Sequence, residues 1–235
     1  MNPEDITRKI KPTVKSNKNF SKIFCIGSNK TGTTSLAATL EIYGYSTPNQ
    51  ISQEMEISKQ TYLGNYLPLK EFVNKYDVFQ DLPFSIDHYY IVADTLFPNS
   101  KFILTERDPE EWFNSMQIYD KKKYNINDLD KIKEEEINDK FTYLFEGYRK
   151  STMQKYISRV KNNKVIYDWN LLYNKERYIK YYNERNDQII KYFNNRKNDF
   201  LIINLKKDKD TKNLCEFLNI PTKFKFDFPH LNNSS

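Results

Sequence analysis

The sequence predicts an α/β fold in three layers, a central parallel sheet flanked by helices, and three observations carry that prediction. Short apolar runs of strand length recur at residues 22–26, 77–80, 101–105 and 200–205. Between them lie longer stretches with apolar residues at helical spacing, and strands that alternate with helices pair in parallel through crossover connections. The first three runs are each followed closely by a polar or small residue of chemical interest: Gly27, Asp81 and Arg107. Ligands of such sheets sit beyond the carboxyl ends of the strands, so these three positions are predicted to meet.

The elements follow in order. Residues 1–20 show no apolar periodicity and read as a flexible arm, with residues 21–235 forming one domain. KIFCI, residues 22–26, is a strand, and Leu36, Leu40 and Tyr43 mark one face of a helix over 33–43 that Gly44 stops. Residues 51–76 carry mixed helical patterns broken near Pro68. A second strand at 77–80 is closed by Asp81, Leu82 and Pro83, a helix is predicted over 86–96, and Pro98 with Asn99 makes a turn. KFILT, residues 101–105, is the clearest buried strand, after which Asp108 caps a helix opened by Pro109, with Glu111 placed for a capping box. Residues 121–161 and 171–193 read as charged helices, FLIINL at 200–205 as a late strand, and 214–218 as a last helix.

Composition bounds the function. The 235 residues are 38% hydrophobic, enough to bury a core and to exclude generic disorder. Two Cys are too few for a disulfide framework or a four-ligand zinc site, and Cys25 and Cys215 read as small core residues in a reducing compartment. No apolar run approaches the roughly 18 residues of a membrane span, and the polar amino-terminal stretch does not read as a signal sequence, so a soluble cytoplasmic protein is expected. With 37 Lys and Arg against 31 Asp and Glu, the net charge of +6 is modest and interspersed with acids. That pattern favours a small anionic ligand over a nucleic acid.

GSNKTGTTSL, residues 27–36, places Gly, Lys and hydroxyl residues between a strand and a helix, where backbone amides and the helix dipole favour phosphate. It departs from the nucleoside-triphosphatase loop, which puts Lys directly after the second Gly; here Thr33 follows Gly32 and Lys30 lies inside the loop.

The loop resembles the 5′-phosphosulfate loop of the sulfotransferase superfamily, a Lys followed by Ser or Thr and then GTT or GTS. The resemblance implies a P-loop-type fold and the donor 3′-phosphoadenosine 5′-phosphosulfate (PAPS; product PAP), with no metal. It places Lys30, Gly32, Thr33 and Thr34 on the donor's 5′ side, with Thr31 and Ser35 as weaker members. KFILTERDPEEWFNSM, residues 101–116, is similar to the family's 3′-phosphate segment, which assigns that phosphate to Arg107 and Ser115. Asp81-Leu82-Pro83 resembles the His-Leu-Pro of cytosolic members and gives Asp81 the place of the general base, with His88 as the second candidate. Lys30 and Asp81 are then the catalytic pair of an in-line sulfuryl transfer to an acceptor hydroxyl.

Two departures point away from the cytosolic estrogen and phenol branch: Phe79 stands where those enzymes carry a second Lys, and no late RKG motif is present. The ending PTKFKFDFPHLN, with His230, resembles the tail of a broad group with KTGTTSL loops and reads as packing. A catalytically silent PAP-binding protein and an ATP-dependent small-molecule kinase stay as alternatives. The acceptor, a small molecule or carbohydrate, and the oligomeric state are left open.

Overall fold

A computed structural model describes residues 18–229 and Leu231. Most of the arm predicted for residues 1–20, and His230, lie outside the described residues.

Strand β1 (Ile23–Cys25) leads through a loop into α1 (Thr33–Ile42). Next come α2 (Gln50–Gln53), a π-helical turn at Glu54–Ser58, α3 (Lys59–Tyr62), α4 (Leu67–Val73) and β2 (Val78–Phe79). They are followed by α5 (Tyr89–Leu96), β3 (Lys101–Thr105) and α6 (Pro109–Tyr124). The chain continues through α7 (Ile137–Lys140), α8 (Tyr148–Ile157), β4 (Ser158–Lys161) and β5 (Lys164–Tyr167). It closes with α9 (Lys175–Tyr192), β6 (Phe200–Ile203) and α10 (Lys212–Phe217). Two compact units result: one runs to Arg107 and resumes at Asn186, the other spans Asp108–Arg185.

The first unit is built on a four-stranded sheet of order β2-β1-β3-β6, parallel throughout. Ile23 pairs with both Val78 and Lys101, and Phe102 with Phe200. Side chains alternate between faces along each strand, and the two faces fill separate cores. Ile23, Cys25, Val78, Ile103 and Ile203 pack with Leu36 and Leu40 of α1 and Leu214 of α10. Phe24, Phe79, Phe102 and Leu104 pack with Phe72 of α4, Ala93 of α5 and Ile189 near the end of α9. Strands buried on both faces are continuous apolar runs, which is why KIFCI and KFILT were readable as such. The predicted α/β class with a parallel sheet between helices is what the structure has. Strand β6 ends at Ile203, short of the predicted 205, because the Asn204 side chain accepts from the backbone of Lys206 and Lys207 and turns the chain.

The second unit has its own core, around Trp112, Phe113, Ile137, Ile157 and Tyr178. Within it Asp120 accepts from Arg149 at 3.0 Å and from Tyr173 at 2.8 Å, which pairs a buried carboxylate with a guanidinium and a phenol. Asp108 caps α6 as predicted, accepting from the Glu111 amide, with Pro109 in the first helical position. The helix predicted across 121–161 is corrected. Helix α6 stops at Asn125 in the left-handed conformation (φ 53), and residues 158–167 form the antiparallel hairpin β4–β5. Asn162 and Asn163, at φ 52 and 59, turn it, and Asn is a residue type that tolerates this conformation in two-residue hairpins. Val160 and Val165 of the hairpin are exposed, so no buried alternation distinguished these short strands from a charged helix. Among the described residues, no helix is long and apolar enough to cross a membrane.

Candidate functional site

In the first unit the connections leaving β1 and β3 run toward opposite edges of the sheet, β1 toward β2 and β3 toward β6. Their carboxyl ends therefore flank a topological switch point, where parallel sheets open a crevice for ligands. The loop after β1 is pressed onto the end of β3. Pairing continues past Cys25, with the Ile26 amide donating to the Ile103 carbonyl at 2.8 Å. A Cβ at Gly27 would stand 2.0 Å from Thr105 Oγ1 and 2.6 Å from the Thr105 carbonyl oxygen, so only glycine allows this approach. Thr31 then closes the loop. Its hydroxyl donates to the Ser28 carbonyl at 2.6 Å, which uses its single proton, and so it accepts from Thr105 Oγ1 at 2.6 Å.

Lys30 (φ 72) and Gly32 (φ 99) both take the left-handed conformation, and the double bend starts α1 at Thr33 with no side-chain cap on its amino end. The first-turn amides of a helix have no acceptor within the helix, and the dipole makes that end positive. Arg107, two residues past β3, donates from Nη1 to the Lys30 carbonyl at 3.3 Å. The loop carrying Lys30, Gly32, Thr33 and Thr34 and the predicted phosphate arginine are thus brought together. Ser35 is buried, and its hydroxyl accepts from the Leu231 amide at 3.1 Å. The Thr31 proton is thus used within the loop, while the Ser35 hydroxyl takes one bond as an acceptor and keeps its own proton. Ser115 is buried on α6, in the second unit, where Trp112 stacks on Tyr182 with centroids 4.4 Å apart.

The loop after β2 is of a different kind. Asp81 is buried and left-handed (φ 64), a backbone state that Asp tolerates better than most residues, and the Leu82–Pro83 peptide that follows is cis. Its Oδ1 accepts from the Leu82 amide at 3.1 Å and from Ser85 at 3.5 Å, and its Oδ2 from Gln50 Nε2 at 2.8 Å. The Asn29 side chain, one residue before Lys30, also hydrogen-bonds Asp81, so this carboxylate meets the loop after β1. Burial pushes its proton affinity up to about 7; the nearby Glu54 carboxylate adds to the rise, while the bonds from Asn29, the Leu82 amide and Ser85 oppose it. His88, the other predicted base, is exposed at the turn into α5, its ring edge-on to Tyr90 at 6.2 Å. Phe79 is fully buried and stacks on Phe24 at 5.5 Å, so a core ring fills the place of the second Lys.

The partners of Asp81 were not readable from the sequence. Gln50, Gln53 and Glu54 come from the helical segment before β2: Gln53 Nε2 donates to the carbonyls of Gln80 and Leu82, both at 2.6 Å, and Gln50 and Glu54 stand one turn apart. A buried acid and two amides on the inward stripe with Ile57 were the available signal. Among the described residues, no group of three or more His, Cys, Asp or Glu is placed to hold a metal ion.

The donor set suits an anionic ligand. Arg107 reaches the main chain of the loop that carries Lys30, the adjoining helix presents its positive end, and a carboxylate of raised proton affinity meets the same loop through Asn29. A family model described as a sulfotransferase domain matches residues 22–235. No curated protein matches the chain.

Proposed function

The chain belongs to the sulfotransferase family, and from that premise we propose that it moves a sulfuryl group from PAPS to an acceptor hydroxyl. The observation that carries the reading is the clasp between the loop after β1 and the end of β3, closed by Thr31 on Thr105 and by Arg107 on the Lys30 carbonyl. When bound, PAPS supplies a sulfuryl group attached to a good leaving group, the 5′-phosphate of PAP.

The chain's own residues would do the rest by position and charge. The α1 amides with Thr33 and Thr34 hold the 5′-phosphate, and Arg107 takes the far phosphate as a charged fork. Asp81 accepts the proton of the acceptor hydroxyl as that oxygen bonds to sulfur and the bridging sulfur–oxygen bond breaks. The electron pair goes to the phosphate oxygen, whose growing charge the Lys30 ammonium offsets. Asp81 is preferred to His88 as the base because it is buried, hydrogen-bonded to the Lys30 loop through Asn29, and raised into a range useful near neutrality.

Calorimetry with PAP tests the donor assignment. Magnesium-independent binding is expected, weakened at least about tenfold in Arg107→Ala, since a charge-assisted phosphate contact is lost. Tighter, magnesium-dependent binding of ATP than of PAP would overturn the reading.

A further inference from the structure

The amide of Gln50 lies between two buried carboxylates. Its Nε2 donates to Asp81 Oδ2 at 2.8 Å and to Glu54 Oε1 at 3.0 Å, while its Oε1 accepts from Gln80 Nε2 at 3.3 Å. One amide nitrogen carries two protons, so each carboxylate receives one of them, and the fork fixes both acids relative to each other. Glu54 is 3% exposed and Asp81 7%. Gln53, from the same turn, pins the carbonyls on either side of Asp81, so the whole segment is bonded to this one loop. The cluster is rich in acceptors, and Gln80 Oε1, buried with no hydrogen-bond partner, adds one more. A buried carboxylate is costly in any fold unless it is paired, and a second one beside it is more so. The structure nonetheless places Glu54 where its charge acts on Asp81.

We propose that Glu54 is a positioning residue for the base, holding the Asp81 carboxylate in place through the Gln50 fork. A second carboxylate held across one amide also favours the protonated form of its neighbour. The inference rests on the reading of Asp81 as the base. The groups facing Asp81 are Glu54 and Gln50 from the helical segment, Asn29 from the loop that carries Lys30, and the Leu82 amide and Ser85 from its own turn; Glu54 is the ionisable one among these contacts. When the acceptor hydroxyl gives up its proton, the proton passes to an Asp81 oxygen, which lowers the negative charge of the pair by one. Release of that proton to water resets the site.

Carbon-13 carboxyl NMR on the full chain reads this without any acceptor. The Asp81 Cγ signal is assigned by its loss in Asp81→Asn, and its midpoint is followed with pH. In Glu54→Gln the midpoint should fall by at least about one pH unit, a tenfold loss of proton affinity, and Glu54→Asp should restore part of it. PAPS hydrolysis, with water as the acceptor, should slow above neutral pH in Glu54→Gln while PAP affinity is kept. Should Glu54→Gln not fold, the wild-type curve carries the test, because coupled acids each show both inflections. An Asp81 midpoint unmoved in Glu54→Gln, or a single inflection in the wild type, overturns the role of Glu54 and leaves Asp81 as base intact. A moved midpoint together with full PAPS turnover in Asp81→Asn overturns the base reading instead.

Discussion

Two neighbouring loops leave the same end of the sheet by opposite means. The loop after β1 is shaped by its backbone: a glycine seated on Thr105, two left-handed residues and a hydroxyl clasp. The loop after β2 is shaped by side chains borrowed from elsewhere, since Gln50, Gln53 and Asn29 all reach in to hold it. The first brings the Arg107 guanidinium onto its main chain, whereas the second buries a carboxylate. In the proposed reaction the first would grip an anion and neutralise a leaving group, and the second would take a proton.

The largest effects should fall on turnover. Lys30→Ala is expected to lower kcat for PAPS turnover by about a thousandfold with PAP affinity changed far less, because leaving-group charge appears only in the transition state. A loss in affinity matching the loss in rate would make Lys30 a binding residue and erase the contrast between the loops. Asp81→Asn should cost about a hundredfold in the same assay, the usual scale of a general base. In the wild type, kcat/KM should fall as pH drops below about 7, as Asp81 takes up its proton.

The contrast between the loops depended on how local their signals are. The loop after β1 was legible because its determinants sit within ten residues of sequence, and Arg107 was legible because it follows a buried strand without interruption. The parallel sheet was legible for the same reason, each inner strand being a short apolar run. Gln50 and Glu54 were not, because they act on Asp81 across some thirty positions and lie in a segment whose helical pattern says nothing of what its inward polar groups touch. The hairpin β4–β5 was hidden in the other unit by exposed valines; the Asn162–Asn163 pair was its one local mark. The resemblance also implied Thr31 and Ser35 as weaker members of the donor loop; the Thr31 hydroxyl donates to the Ser28 carbonyl and the Ser35 hydroxyl accepts from the Leu231 amide, contacts no spacing announces.

Smaller effects sharpen the comparison through stability. Gly27→Ala should destabilise the chain by about 3 kcal/mol or more in denaturant melts, since the new methyl meets the main chain of β3 at Thr105 as well as the Thr105 hydroxyl. Asp81 works in the other direction. Its proton affinity is higher in the folded chain than unfolded, so it contributes stability at low pH that is lost as pH rises from about 4 through about 7. Asp81→Asn lacks that slope, and its melting temperature should therefore gain on the wild type between pH 5 and pH 8. A difference constant with pH would mean that Asp81 titrates as in an unfolded chain. Thr31→Val should cost least, about 1–2 kcal/mol, by leaving the Ser28 carbonyl and the Thr105 hydroxyl without their partner.

The seat of Gly27 on Thr105 also fixes what natural drift can do here. In a saturation library selected for folded protein, codon 27 should stay invariant while codon 28, whose side chain is half-buried, accepts many replacements. A designer wishing to rebuild this loop would have to redraw the third strand along with it, because the two segments occupy a single space.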